Sequence, residues 1–319
     1  MKKVGKVVGL ISLLAVFAFM SLGSGSSGSG TKETKAITQE KADAGAATEA
    51  AKTEETVATE AATEAPTEAA KDDITIEEQV LIDQDGLKVT AKEYVVDPIW
   101  GPGVKVLIEN DSDKNLGISC NALIVNNYMV TDLFSKTVAA GKKANETLNF
   151  LSGNMEKAGI DTPGQIEIYF HVFNGDTYES VFDTDCVTIK TSAYDSMETV
   201  KLDDGHELYN EDGLRIVGKY VDENSIWGTA VLLYIENNTG KNIGVQADDM
   251  SINGFMVQPF FSATVYDGKM SINDITIMQS DLDNNDIKSV DEIELKFHIF
   301  DSSTFMTIKD TDPITFSTK

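Results

Sequence analysis

The chain has 319 residues, with 52 acidic side chains against 26 basic ones and a formal charge of −26. A field of that sign repels phosphate backbones and anionic head groups, so no nucleic-acid partner is expected. Two cysteines, Cys120 and Cys186, and three histidines, His171, His206 and His298, are too few and too scattered for a Cys/His zinc site, and no metal or cofactor is expected.

Residues 1–23 read as a signal peptide. Lys2, Lys3 and Lys6 give a positive start, Val7 to Leu22 is almost unbroken apolar sequence, and the small residues Gly23 to Gly30 follow. Sixteen or so apolar residues fall short of the roughly 20 a spanning helix needs. The alternative is an uncleaved leader, which would then be the chain's one membrane contact. Ser24, Gly25 and Ser26 stand where a lipoprotein would carry its acylated cysteine, so lipidation is not expected. Residues 24–72 read as a spacer. From Thr31 to Lys71 the chain is nearly all Thr, Glu, Ala and Lys, without an aromatic side chain. Such a segment buries too little apolar surface to offset the entropy of ordering. It is either a tether leading out from the cell surface or a passive linker.

The strongest signal beyond the spacer is internal. Shifting the sequence by 127 residues lays Asp85–Thr191 on Asp212–Thr318 without a gap. DGL at Asp85 recurs at Asp212, IWG at Ile99 recurs at Ile226, and IEN at Ile108 recurs at Ile235. FH at Phe170 recurs at Phe297 and DTD at Asp183 recurs at Asp310. So many identities on one diagonal indicate a duplicated unit. The expected boundaries are 73–192 for the first unit, 193–205 for a polar linker and 206–319 for the second.

Each unit reads as strands. Gln165–Phe173 alternates, with Ile166, Ile168, Phe170 and Val172 on one side, and Glu292–Phe300 repeats the pattern. Val104–Ile108, Leu116–Val125, Thr147–Leu151 and Val187–Ile189 are further strands. Asp85-Gly86 and Asp212-Gly213 mark hairpins, and the polar stretches 110–115 and 237–242 mark loops. Ser152–Gly159 and Ser280–Asp286 lack strand alternation and open on a serine suited to capping a short helix. The fold class is therefore all-β: two tandem β-sandwiches, each with one short helix, a small closed barrel being the alternative. The IEN-x-x-x-KN hairpin, the segments Asn126–Val130 and Gly254–Val257, the Gly-Lys pairs at 141 and 268, and the F-H-x-F strand with its DTD together resemble immunoglobulin-like domains of Gram-positive exported and lipoprotein-type surface proteins. The resemblance spans both units. It implies an immunoglobulin-like fold and a surface location, and it transfers no activity.

Catalytic equipment is not evident. A Ser-His-Asp triad would have to recruit one of the three histidines, there is no G-x-S-x-G, and no glycine-rich phosphate loop is present, so no enzyme is expected. One tryptophan per unit, Trp100 and Trp227, at the same place suggests a buried plug, with sugar stacking as the alternative. Asp281, Asp283, Asn285 and Glu292 loosely match a calcium loop, but Asp286 stands where that loop needs glycine, and turn formation explains the DTD triplets. Cys120 and Cys186 face Ala247 and Pro313 in the second unit. Their joint absence there suggests a disulfide in an exported protein. The outward face of Glu167, Tyr169, His171 and Phe173 is the candidate contact surface. The functional expectation is a cell-surface binding or spacer protein with a protein or glycan partner. The alternative is a secreted carbohydrate- or calcium-binding accessory protein.

Overall fold

The computed structural model describes residues 74–318. The expected leader and the expected spacer both lie outside the described residues. In the N-terminal half the chain forms β1 (Gln79–Gln84), β2 (Leu87–Asp97), β3 (Gly101–Asn110), β4 (Leu116–Val125), β5 (Tyr128–Val130), β6 (Ser135–Val138) and β7 (Lys142–Asn149). Helix α1 (Ser152–Lys157) precedes β8 (Gln165–Asn174), β9 (Ser180–Asp183) and β10 (Val187–Lys190). The C-terminal half holds β11 (His206–Glu211), β12 (Leu214–Ser225), β13 (Gly228–Asn237), β14 (Ile243–Ile252), β15 (Phe255–Met256), β16 (Pro259–Phe260) and β17 (Ser262–Val265). It continues through β18 (Lys269–Met278), α2 (Gln279–Asn284), β19 (Glu292–Asp301), β20 (Thr307–Asp310) and β21 (Ile314–Ser317).

Period-two alternation explains the layering. In β8, Ile166, Ile168, Phe170 and Val172 are fully buried and face β2, β3 and β7 across one core that also takes Val89, Val106, Ile108 and Leu148. β1-β2-β3-β7 form one antiparallel sheet, and β10-β8-β4 with β5, β6 and β9 form the sheet opposite. The C-terminal half places Ile216, Leu233 and Ile235 of one sheet against Val245, Ile293, Leu295 and Phe297 of the other. Its registers are those of the first half displaced by 127: Leu87 faces Asn110 as Leu214 faces Asn237, and Leu116 faces Asn174 as Ile243 faces Asp301.

The shared residues have local work to do. Asp85 and Gly86 both adopt positive φ, as do Asp212 and Gly213, which gives the tight hairpins between β1 and β2 and between β11 and β12. Asn110 is fully buried, and its amide donates to the carbonyls of Lys114 and Val138, both at 2.8 Å. Asn237 does the same to Lys241 and Val265 at 2.7 Å. Each asparagine thus ties its loop to the next hairpin and satisfies acceptors that would otherwise be buried alone. The helices are held differently from the expectation. Neither Ser152 nor Ser280 caps: the residues before the helices, Leu151 and Met278, occupy the cap positions without any side-chain bond. Burial of Met155 in one core and Leu282 in the other anchors these single turns.

The halves are joined by sheet and by core. β5 adds in parallel to β18, with Tyr128 beside Met270 and Ser271 beside Met129, so that the opposed sheet of the first half runs on into β18-β13-β12-β11. The Met270 N–H donates to the Asn127 carbonyl at 3.0 Å. Tyr128 is 1% exposed, its ring lies 6.4 Å from that of Tyr234, and its hydroxyl donates to the Val200 carbonyl at 2.5 Å. Val217, Leu232, Tyr234, Met270 and Ile272, on the outer face of the second half, belong to the core of the first. Residues 193–205 are pinned to this seam by Leu202, which packs on that core, and by the pairs Lys201–Glu236 and Arg215–Asp203. Replacing Tyr128 with Ala is expected to cost about 3–5 kcal/mol, and with Phe, which loses one hydrogen bond, about 1 kcal/mol. Denaturant unfolding checks both; an alanine variant as stable as the parent would show that the ring is not packed in the seam.

Candidate functional site

Most shared residues serve the fold, but Ile-Trp of the IWG motif does not. It forms the tip of the β2–β3 hairpin in one half and of the β12–β13 hairpin in the other. Trp100 is 51% exposed and Trp227 61%, with Ile99 and Ile226 more exposed still. This corrects the expectation of buried tryptophan plugs: the tips lie past the last paired residues of their hairpins, Asp97 with Gly101 and Ser225 with Gly228, where the side chains stay exposed. The first tip is held in shape by Asp97, whose carboxylate accepts the N–H groups of Ile99 at 2.7 Å and Trp100 at 2.9 Å. Those bonds, the one from Trp100 foremost, hold the Asp97 carboxyl below its ordinary range. The second tip is tied down by the Trp227 carbonyl, which accepts from Gln279 at the start of α2, 2.9 Å away.

Each tip has apolar neighbours. Beside Trp100 stands exposed Leu133, and the two border a cavity of about 200 Å³ with Phe134, Thr147, Asn149 and Leu151. The side-chain oxygen of Asn149 is buried there without a hydrogen-bond donor among the described residues. In the second half β16 pairs with β18, setting Phe260 beside Thr276 and Pro259 beside Ile277. The end of that half instead shows Phe255, Met256 and Phe260 together with Trp227. Exposed Trp, Ile, Phe and Met on a fixed backbone is the composition of a contact surface, since leaving such side chains in water forgoes the stabilisation of burying them.

The face expected to make contacts divides in two. Glu167 and Tyr169 are taken up by the seam. The Glu167 carboxylate receives the Lys269 ammonium at 2.5 Å with both side chains largely covered, and Tyr169 meets Tyr266 edge to face at 4.8 Å. They are therefore not a free surface, because the second half packs on that end of β8. His171 and Phe173 belong to a separate ladder. The His171 Nδ1 lies 2.6 Å from the Asp183 carboxylate, and its ring stacks on Phe173, which stacks on Tyr178. Phe173 lies directly over Gly117, where a Cβ would overlap the ring. His298, Asp310, Phe300, Phe305 and Gly244 repeat the ladder. An aromatic ring over a strand glycine fills the gap left by the missing side chain. The middle threonine of each DTD is a backbone clip: Thr184 and Thr311 hydroxyls accept the Phe170 and Phe297 N–H groups at 2.9 Å. His206 stacks on Phe316. Asp281 and Asp283 are bonded to Gln258 and Gln279, and among the described residues no three ligating side chains converge.

The expected disulfide is contradicted: Cys120 and Cys186 are both free. They flank opposite sides of β8, since β4 and β10 pair with its two edges. Two strand spacings amount to about 9.5 Å, beyond the roughly 7 Å a disulfide spans. The Cys120 thiol is packed against Asp132, and burial pushes the thiol up; burial also raises the Asp132 carboxyl, against the pull of the Phe134 N–H. The folded state therefore holds the Asp132 proton more tightly than the unfolded one, and its contribution to stability is lost as pH rises through the carboxylate range. Asp132→Asn is expected to stabilise the protein near neutral pH, the gain shrinking as pH falls; melting temperatures that respond equally to pH in both proteins would contradict this. A thiol reagent is expected to modify exposed Cys186 in the native protein and Cys120 only on unfolding, whereas resistance of both until reduction would restore the disulfide.

No family model matches the chain, and no curated protein matches it in sequence. Among solved structures it is similar to the YadV chaperone at 11% identity, over 67% of this chain and 91% of that one, with a TM-score of 0.22. A protein of unknown function from Porphyromonas gingivalis W83 is similar at 11% identity, over 73% and 97%, with a TM-score of 0.21. Bacteroides uniformis beta-glucuronidase is similar at 13% identity, over 73% of this chain and 26% of that one, with a TM-score of 0.21. Likenesses at that level assign neither a fold nor an activity.

Proposed function

We propose that the chain is an exported cell-surface protein, without catalytic activity, that presents two tandem immunoglobulin-like β-sandwiches and binds or spaces a partner through their ends. The observation that carries this is the pair of exposed Ile-Trp hairpin tips. They are shared apolar residues that the packing leaves exposed in both halves, and they sit on backbone fixed by Asp97 and by α2. The signal-peptide reading of residues 1–23 and the Thr/Glu/Ala-rich spacer of 24–72 supply the route outward and the reach.

Two measurements test it. Protease treatment of intact cells is expected to remove the chain, and full protection would contradict export. Immobilised protein is expected to retain an envelope protein that Trp100→Ser and Trp227→Ser variants, folded as judged by melting, release. Equal retention by the variants would move the contact elsewhere, and no retention by any form would leave the spacer role alone.

One observation favours a glycan as the partner instead. Trp100 offers a half-exposed ring beside a cavity that Thr147 and Asn149 also line, a stacking platform next to polar side chains. That reading expects cell-wall glycans to shift tryptophan emission in the parent and not in Trp100→Ser.

A further inference from the structure

Among the described residues, joining the halves leaves a strand edge and a strand end unused. The outer edge of β18 carries β5 at Met270 and Ser271 and β16 at Thr276 and Ile277. β7 holds the matching place in the first half, pairing with β3 as β18 pairs with β13, and among the described residues no strand pairs with its outer edge. At the far end of the second half, β15 follows β14 as β5 follows β4. Yet Phe255 and Met256 remain 49% and 63% exposed, where Tyr128 in the same place is buried. Among the described residues, both partners of the internal joint thus recur without an occupant.

We propose that the chain binds a second copy of itself head to tail, β15 of one copy adding in parallel to the outer edge of β7 of the next. The internal register, transferred, sets Phe255 beside Lys143 and Met256 beside Ala144. The Lys143 N–H then donates to the Gly254 carbonyl as the Met270 N–H donates to that of Asn127. Lys142 and Glu294 stand at the places of Lys269 and Glu167, so the ion pair of the seam has a counterpart of the same sign. Both are exposed, and Lys142 makes no ion pair among the described residues. Leu107, partly covered, replaces Tyr234 as the surface that receives the aromatic ring of the strand end.

The two joints differ in strength. Lys105 and Asn145 replace Leu232 and Ile272, so the joint between copies buries less apolar surface than the one within a copy. It also lacks the high effective concentration that the connecting segment gives the internal joint. Association is therefore reversible and concentration-dependent. A heterologous contact of this kind leaves each copy with one free face, so association does not stop at a dimer and extends into open chains unless the rotation between copies closes a ring.

The test is sedimentation of the full chain at physiological salt, up to roughly millimolar concentration. The average mass is expected to climb past that of two chains without a plateau at that value. Phe255→Glu blocks the strand end. Lys143→Pro removes the outward N–H while leaving the β3–β7 ladder, whose bonds run the other way, intact. Each is expected to weaken association by at least about tenfold. Mixed together they form a one-to-one dimer, since each supplies the face the other lacks. Lys142→Glu is expected to weaken association and the added change Glu294→Lys to restore it, which separates docking from folding. Mass of a single chain at every concentration, a plateau at two chains, association indifferent to Phe255→Glu and Lys143→Pro, or a mixture that behaves as its separate components would each overturn the proposal.

Discussion

The burial of Tyr128 against Tyr234, brought about by three residues of parallel strand, is the constraint on which the molecule's form depends. β5 is too short to be stable alone. It persists because it closes a hairpin on β4, lies along β18 and places one aromatic ring in a core that both halves line. The Lys269–Glu167 pair beside it is largely removed from water, so its attraction is offset by desolvation. Its main consequence is specificity: a lysine displaced from that position would leave a carboxylate covered and unpaired. The apolar contact supplies the stability and the ion pair fixes the alignment.

That division recurs throughout. The buried asparagines at the end of β3 and β13 and the threonine hydroxyls after β9 and β20 each satisfy backbone groups at a place where strand pairing stops. The rings of Phe173 and Phe300 do for two glycines what a side chain would do elsewhere. Once these uses are subtracted, the Ile-Trp tips stand out among the residues common to both halves as large apolar side chains that the packing leaves exposed. No structural task remains for them, which leaves them free to meet a partner.

Much of this was legible in the residues. The alternation of Gln165–Phe173 placed β8 to within a residue, and the Asp-Gly dipeptides placed both hairpins, because these signals are local. The two short helices were also placed, though for the wrong reason: serine chemistry suggested a cap, and burial of Met155 and Leu282 provides the anchor. What failed depended on neighbours distant in sequence. Whether a tryptophan at a hairpin tip is covered depends on whether a second layer reaches it. Whether two cysteines meet depends on strand order, and β8 intervenes between them.

One signal of the seam lies in the sequence itself. β3 carries VKVLI where β13 carries VLLYI, and this loss of alternation marks a strand buried on both faces. The same comparison gives the seam its direction, since Lys105 keeps the outer face of the first half polar while Leu232 and Tyr234 make that of the second apolar.

A rigid seam has a consequence that flexible beads on a string do not share: the two tips are held at a fixed separation. Spin labels at Asp111→Cys and Asn238→Cys, equivalent exposed positions in the two halves, with Cys120→Ala and Cys186→Ser to remove the native thiols, report by double electron–electron resonance whether the halves hold one separation. A single narrow distance distribution, broadened on Tyr128→Ala, is the expected result. A broad distribution in the unaltered seam would contradict the central claim that β5 and Tyr128 make one body of the two halves.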